Sequence, residues 1–390
     1  MIAGFNVNIV SRSFSLNSNP QTNSAPTKKQ KPKTEENKET RVVSVSDRHG
    51  VDMVCEEDPL VKTICELFVK ISSLETLTPC NEVNTLLTQL VLACIPPHPV
   101  DVSALCSEVQ DVRAKLIRLC GQAEGLLEAH YSALLGSFDR PLDQLSVFPY
   151  YTNYLKLAKL EFDLLTHHLP THASPPARIA FVGSGPLPLT SLVLAANHLP
   201  NTAFHNYDID AAANSMALNL VLPDPDLSRR FFFQTGDIMD VTAELGGYDV
   251  IFLAALVGMV EEEKAKVIDH LAEFMAPGAI LMVRSAHGAR AFLYPVVEPG
   301  DLRGFEFLSV YHPTDEVINS VVVAKKKHGQ DTLSMTAATN AEPVLNGPAS
   351  EKLLAVSGKK RCEMVVQPLL DPPNPYENIA EKLAIEDKSS

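Results

Sequence analysis

Residues 178–190 constrain this chain more than any other stretch. Ile179, Ala180, Phe181 and Val182 form a short apolar run suited to a buried strand, and Gly183, Ser184 and Gly185 follow it directly. Glycines at that point let the chain turn sharply while a ligand comes close to the backbone, because no Cβ is in the way. Pro186 and Pro188 fit only near a helix start, where a missing N–H forfeits no helical bond. The spacing therefore predicts a strand, a glycine loop and a helix whose N-terminus faces a ligand.

Pro188 stands where a dinucleotide fingerprint has its third glycine, so the loop is not a standard one of that kind. The context is more specific. The next run, residues 203–207, ends at Asp208, about 20 residues past the glycines, where a carboxylate can accept hydrogen bonds from both ribose hydroxyls. A third run, 231–235, ends in Gly236-Asp237-Ile238, and a fourth covers 248–255. A glycine loop, an acidic strand end and a Gly-Asp pair in this order look like an S-adenosylmethionine fold, with Gly183, Ser184, Gly185, Asp208, Asp237 and Ile238 as the binding set. The alternative is a plain βαβ crossover with a glycine turn.

The chain has 390 residues, enough for two or three domains, and 45% hydrophobic residues suits a globular protein. No apolar run is long enough to span a membrane. A net charge of −14 disfavours nucleic acid, since each phosphate to be neutralised requires a Lys or Arg and no basic stripe stands out. A small substrate carrying positive charge is easier to accommodate. The 7 cysteines are odd in number and widely spaced, which reads as reduced, intracellular and cytoplasmic. With no C-x-x-C pair or Cys/His cluster, no metal site is expected. Nothing in the sequence speaks to oligomeric state.

Residues 1–52 are rich in Ser, Asn and Lys, and read as a disordered extension that cannot bury enough apolar surface to offset its ordering entropy. Its first 34 residues hold Arg12, Lys28, Lys29, Lys31 and Lys33 but no acid, which is also how an organellar transit peptide begins. A helical domain is expected over 53–170. Leu60, Ile64, Leu67, Phe68 and Ile71 predict one helix, and Val83, Leu86, Leu87, Leu90, Val91 and Cys94 a second. Val102, Leu105, Val109, Val112, Leu116, Leu119, Ala123 and Leu126 predict a long third helix with one continuous seam. Gly121, Glu124, Gly125 and Glu128 lie beside that seam, and each glycine costs a helix about 1 kcal/mol relative to alanine. Either a ligand passes the glycines to reach a carboxylate, or the helix packs closely there. Phe148, Tyr150, Tyr151 and Tyr154 then cluster in a chain with only 9 tyrosines, followed by a helix over 155–168.

A Pro-rich linker marks the boundary to a Rossmann-like, doubly wound α/β domain over 171–325. It comprises the four runs above, a helix over 260–275, a fifth strand over 279–283, and runs at 305–310 and 317–324 that suit a closing hairpin. Beyond the fifth strand come Arg284, His287 and Arg290, at the edge where open α/β sheets bind ligands, so they are candidates to meet a substrate carboxylate. The alternative pairs them with acids of the sheet rim. Residues 326–390 read as a disordered tail.

The segments 53–55, 87–92, 115–121, 123–128, 148–151, 183–190, 204–210, 252–259, 284–295 and 311–320 together resemble plant nicotianamine synthases. The resemblance covers 53 to about 325 and neither extension. It implies a helical bundle followed by a class I S-adenosylmethionine-dependent transferase domain, and an aminocarboxypropyltransferase. Such an enzyme condenses three S-adenosylmethionine molecules, one closing into an azetidine ring, to give nicotianamine and methylthioadenosine without a metal. The product chelates iron and other transition metals and serves metal homeostasis. By similarity to the family's helical-domain acid and tyrosine, Glu124 is the expected base and Tyr150 the residue positioning the amine, with Glu128 and Tyr151 as the neighbours most easily confused with them. Tyr151, Arg284, His287 and Arg290 are the expected substrate contacts. The alternatives are a methyltransferase, which would use the same nucleotide domain, and a protein that binds S-adenosylmethionine or nicotianamine without turnover.

Overall fold

The computed structural model describes residues 58–98, 100–170 and 174–328, so the expected extension over 1–52 and all but the first few residues of the expected tail lie outside the described residues. Asp58 opens α1 (Pro59–Ser72) by accepting from the Leu60 and Val61 N–H groups, with Pro59 at the first helical position, where its missing donor costs nothing. α1 and α2 (Asn81–Cys94) bury the predicted faces against α3 (Ser107–Leu135). α3 starts later than its apolar spacing suggests. Asp101 caps a separate short turn, Val102–Ala104, and Leu105 is extended, so Val102 and Leu105 are not part of the helical seam.

α3 is about 43 Å long at about 1.5 Å per residue, and it serves two cores. Val109, Leu116 and Ala123 pack with α1 and α2, whereas Leu127, Tyr131 and Leu135 pack toward α4 (Tyr151–His168) and the sheet. The helical and sheet parts of the chain share their cores. Ala286, Ala289, Phe292 and Tyr294, which follow the fifth strand, belong to the α1–α2–α3 cluster. α4 contributes Tyr154, Leu157 and Leu165 to the cluster under the sheet.

The sheet has 7 strands in the order β3-β2-β1-β4-β5-β7-β6. These are β1 (Arg178–Val182), β2 (Ala203–Asp208), β3 (Phe231–Thr235), β4 (Val250–Leu253), β5 (Ile280–Ser285), β6 (Phe305–Tyr311) and β7 (Ser320–Lys326). β1 to β5 are parallel, while β7 runs antiparallel to both β5 and β6. Alternation of side chains covers both faces: Ile179, Phe181, Val250 and Phe252 point into one core, and Ala180, Val182, Ile251 and Leu253 into the other. The crossovers are α5 (Leu189–Asn197), α6 (Ala211–Val221), the short α7 (Leu227–Arg230) and α8 (Glu261–Phe274). β7 begins at Ser320 rather than at Val317, because its partner β5 ends at Ser285 and nothing remains for residues 317–319 to pair with. The order reverses between β1 and β4, and the C-terminal ends of β1, β2 and β4 open there into one crevice.

Candidate active site

The crevice is a cavity of about 990 Å³ that extends from the glycine loop to α3. Gly183 and Gly185 have φ of +79° and +67°. A Cβ on Gly183 would stand 2.3 Å from Val257 Cγ2, and one on Gly185 2.7 Å from Glu128 Oε2, so both positions require glycine for conformation and for space. Asp208, at the end of β2, accepts from the Gly185 N–H at 2.8 Å and from the Asp210 N–H at 3.0 Å, which fixes its carboxylate at the cavity wall. Asp237 and the buried Ile238 line the same wall. Ser184 Oγ and Asn319 Nδ2 are buried without a hydrogen-bond partner among the described residues, and both residues line the cavity. Orphaned buried polar atoms at a cavity wall suit a polar ligand that would complete them.

At the far wall, α3 brings in two carboxylates. Glu128 Oε1 accepts from the Tyr154 hydroxyl at 2.8 Å, and Glu124 Oε2 accepts from the Tyr294 hydroxyl at 2.9 Å. Burial, then the like charge of Glu124, pushes the Glu128 carboxyl well above the usual range, against the hydroxyl of Tyr154. Burial likewise raises Glu124, which the Tyr294 hydroxyl and Arg284 partly offset. Both phenols are pushed up, first by burial and then by the carboxylates beside them, so they remain hydroxyl donors.

The structure brings Gly183, Ser184, Gly185, Asp208, Asp237, Ile238, Glu124 and Arg284 to the one cavity. Other sequence candidates lie elsewhere. Tyr150 is not at this wall: it occupies the N-cap of α4 and is 6% exposed, edge-on to Phe148. It lines a small void of about 30 Å³ that Glu124 and Glu128 also border, and burial lifts its hydroxyl to about 12. Tyr151 packs half-buried against the core under the sheet. Arg290 is turned away, because the short turn Gly288–Phe292 tucks Ala289, Ala291 and Phe292 into the core. Its guanidinium binds the carbonyls of Pro313, Asp315 and Ile95. His287 is exposed and stacks on His312. Arg284 does line the cavity, but its Nε and Nη2 are committed to both oxygens of Glu161 at 2.7 and 3.0 Å, and Nη2 also to Thr190 at 2.5 Å.

Sequence reasoning gave no role to Tyr154, Tyr294 or Asn319. Tyr154 was visible as the tyrosine one turn into α4, and Tyr294 as the end of the segment that begins at Arg284. Among the described residues no group of three or more His, Cys, Asp or Glu is placed to hold a metal ion.

Residues 54–331 match the family model described as nicotianamine synthase protein. The chain belongs to the nicotianamine synthase family. It is 61% identical over 275 residues to a nicotianamine synthase of Solanum lycopersicum, covering 70% of this chain and 86% of that one. It is 62% identical over 276 residues to nicotianamine synthase 3 of Arabidopsis thaliana, with 70% and 86% covered. Among solved structures it is similar to MtNAS in complex with MTA and tNA, at a TM-score of 0.57 and 22% identity over 68% of this chain and 96% of that one. It is also similar to a glutamate-to-glutamine variant of MtNAS, at a TM-score of 0.58 and 21% identity over 70% and 99%. These structural likenesses establish the shared fold, and the α/β architecture expected for a class I S-adenosylmethionine-dependent transferase is the one observed.

Proposed function

We propose that this member of the family is a nicotianamine synthase that condenses three S-adenosylmethionine molecules into nicotianamine and releases three methylthioadenosine. The observation that carries this reading is the continuity of one cavity from the Gly183–Gly185 loop to a carboxylate that carries a phenol: Glu128, with Oε2 over Gly185 and Oε1 on Tyr154. Gly183, Gly185, Asp208 and Asp237 hold the adenosyl part, and Ser184 and Asn319 offer donors to polar substrate atoms.

When bound, S-adenosylmethionine supplies a carbon activated by the adjacent sulfonium. What the chain must supply is placement and a base, because an α-amino group is mostly protonated at neutral pH and an ammonium has no lone pair. Glu128 fits that role better than Glu124. It reaches the glycine loop itself, and burial raises its affinity for a proton. Tyr154 fixes the rotamer of Glu128 and takes the positioning role that the sequence suggested for Tyr150.

As a transition-metal chelator, the product would place the enzyme in metal homeostasis, iron included, in a plant. A cytoplasmic setting fits Cys80, Cys94 and Cys120, none of which is in a disulfide, and no helix among the described residues is long and apolar enough to cross a membrane. Purified protein given S-adenosylmethionine alone should release methylthioadenosine and yield nicotianamine. Release of S-adenosylhomocysteine would move the assignment to methyl transfer, and binding without either product would make this a binding protein.

A further inference from the structure

A single base suffices for one displacement, yet α3 offers the cavity two carboxylates. Glu124 and Glu128 stand one turn apart, and each accepts from a tyrosine of a different element, Tyr294 after β5 and Tyr154 in α4. They serve different parts of the wall. Glu128 lies over the glycine loop. The α3 segment that carries Glu124 meets the β4–α8 loop, since a Cβ on Gly121 would touch Leu256 and Met259 at 3.4 Å.

We propose that Glu124, held by Tyr294, is a second catalytic carboxylate, which accepts the proton of the acceptor amine in a later displacement than the one Glu128 serves. The inference rests on the aminocarboxypropyl-transfer reading and deepens it. After one transfer the intermediate carries two nitrogens joined by a three-carbon spacer, four bonds of about 1.5 Å that reach roughly 5 Å. Four residues of α3 advance about 6 Å, so the backbone positions that carry Glu124 and Glu128 are offset along the cavity wall by about the reach of that spacer. Two stations let the intermediate engage both ends without being released and rebound the other way round. The charge of Glu124 adds to this, because it makes Glu128 more willing to hold a proton.

Each displacement balances. The nitrogen lone pair forms the C–N bond, and the C–S bond breaks with its electron pair left on sulfur as a neutral thioether. The nitrogen's proton passes to the carboxylate and then to solvent. Closure of the four-membered ring follows the same count within one molecule.

The test is the product ratio of the full chain incubated with S-adenosylmethionine alone and followed by mass spectrometry. In Glu124→Gln the ratio of singly condensed intermediate to nicotianamine should rise by about 10²-fold, the lower end of a general-base contribution, and raising the pH should bring it back down. Tyr294→Phe should move the ratio the same way by less, whereas Glu128→Gln should depress both products together. An unchanged ratio in a folded Glu124→Gln protein that binds S-adenosylmethionine overturns the proposal. Should that variant fail to fold, Glu124→Asp keeps the charge but withdraws it by one methylene, and an unchanged ratio there overturns the proposal equally. Wild-type protein that releases no methylthioadenosine sinks the donor reading itself, a failure visible before any variant is made.

Discussion

Glu161 and Glu128 are both buried glutamates on helices packed against the same sheet, yet their surroundings differ in kind. Glu161, with no exposed surface, faces Arg284 through two charge-assisted hydrogen bonds, and Thr190 takes a further donor of that guanidinium. The ion pair ties α4 to β5, and its guanidinium also partly offsets the burial of the two α3 carboxylates. Glu128 has a phenol for a partner and another carboxylate one turn away, and it borders a cavity. A carboxylate matched by an opposite charge has nothing left to do chemically. One that is matched only by a hydroxyl keeps its affinity for a proton.

The comparison is broken most directly by neutralising each acid in turn. Glu128→Gln should lower turnover by roughly 10²- to 10⁴-fold, read as methylthioadenosine release, with the melting temperature kept or raised because a buried charge is gone. Wild-type turnover in that variant would return the role to Glu124. Glu161→Gln should do the reverse, destabilising by about 3–5 kcal/mol in denaturant melts through the uncompensated Arg284, with activity per folded molecule largely kept. A stable but inactive Glu161→Gln protein would show that the two acids had been sorted wrongly.

Asp208→Ala sharpens the contrast on the nucleotide side. It removes the proposed acceptor for ribose and the anchor of the Gly185 N–H, and calorimetry should show S-adenosylmethionine binding weakened by about 1.5–3 kcal/mol. Unchanged affinity in folded protein would take Asp208 out of the site.

Lys264 is the intermediate case: a buried ammonium that donates to the carbonyls of Ala254 and Ala255, with its pKa brought down to about 7 by burial. Lys264→Met should cost about 1–3 kcal/mol by stranding those carbonyls. The sign of its pH dependence follows from a folded-state pKa below the unfolded one of 10.5. Above about 7 the folded protein binds fewer protons at this site, so its contribution grows as pH rises toward 10.5 and is lost as pH falls through 7. The stability gap between wild type and Lys264→Met should therefore widen from pH 7 to 9, and a gap independent of pH would show that the lysine is not held near neutrality.

Much of the fold could be read from local pattern. The glycine loop, the acidic end of β2 and the Gly236-Asp237 turn each carry their own signal, because a sharp turn beside a buried strand admits few residue types. The positions of the seven runs were legible for the same reason, and the misplaced start of β7 shows the limit. Whether residues 317–319 pair depends on where β5 stops, and no property of those three residues reports it.

The site was legible by type and not by identity. Glu124 and Tyr150 are 26 residues apart, and so are Glu128 and Tyr154. Both pairs offer a carboxylate on one face of α3 and a phenol near the start of α4, so spacing alone selects neither. Local pattern left the Glu124/Glu128 face open between a ligand and close packing, and the family resemblance supplied the expectation of an acid beside a phenol. Only tertiary structure decided which, because Tyr150 caps α4 and turns into the core while Tyr154, one turn further in, projects onto Glu128. It likewise decided that Arg290 would serve backbone carbonyls and that Tyr294 would take the place beside Glu124. Those outcomes depend on the direction in which one element leaves another, which is set by packing between residues far apart in the chain.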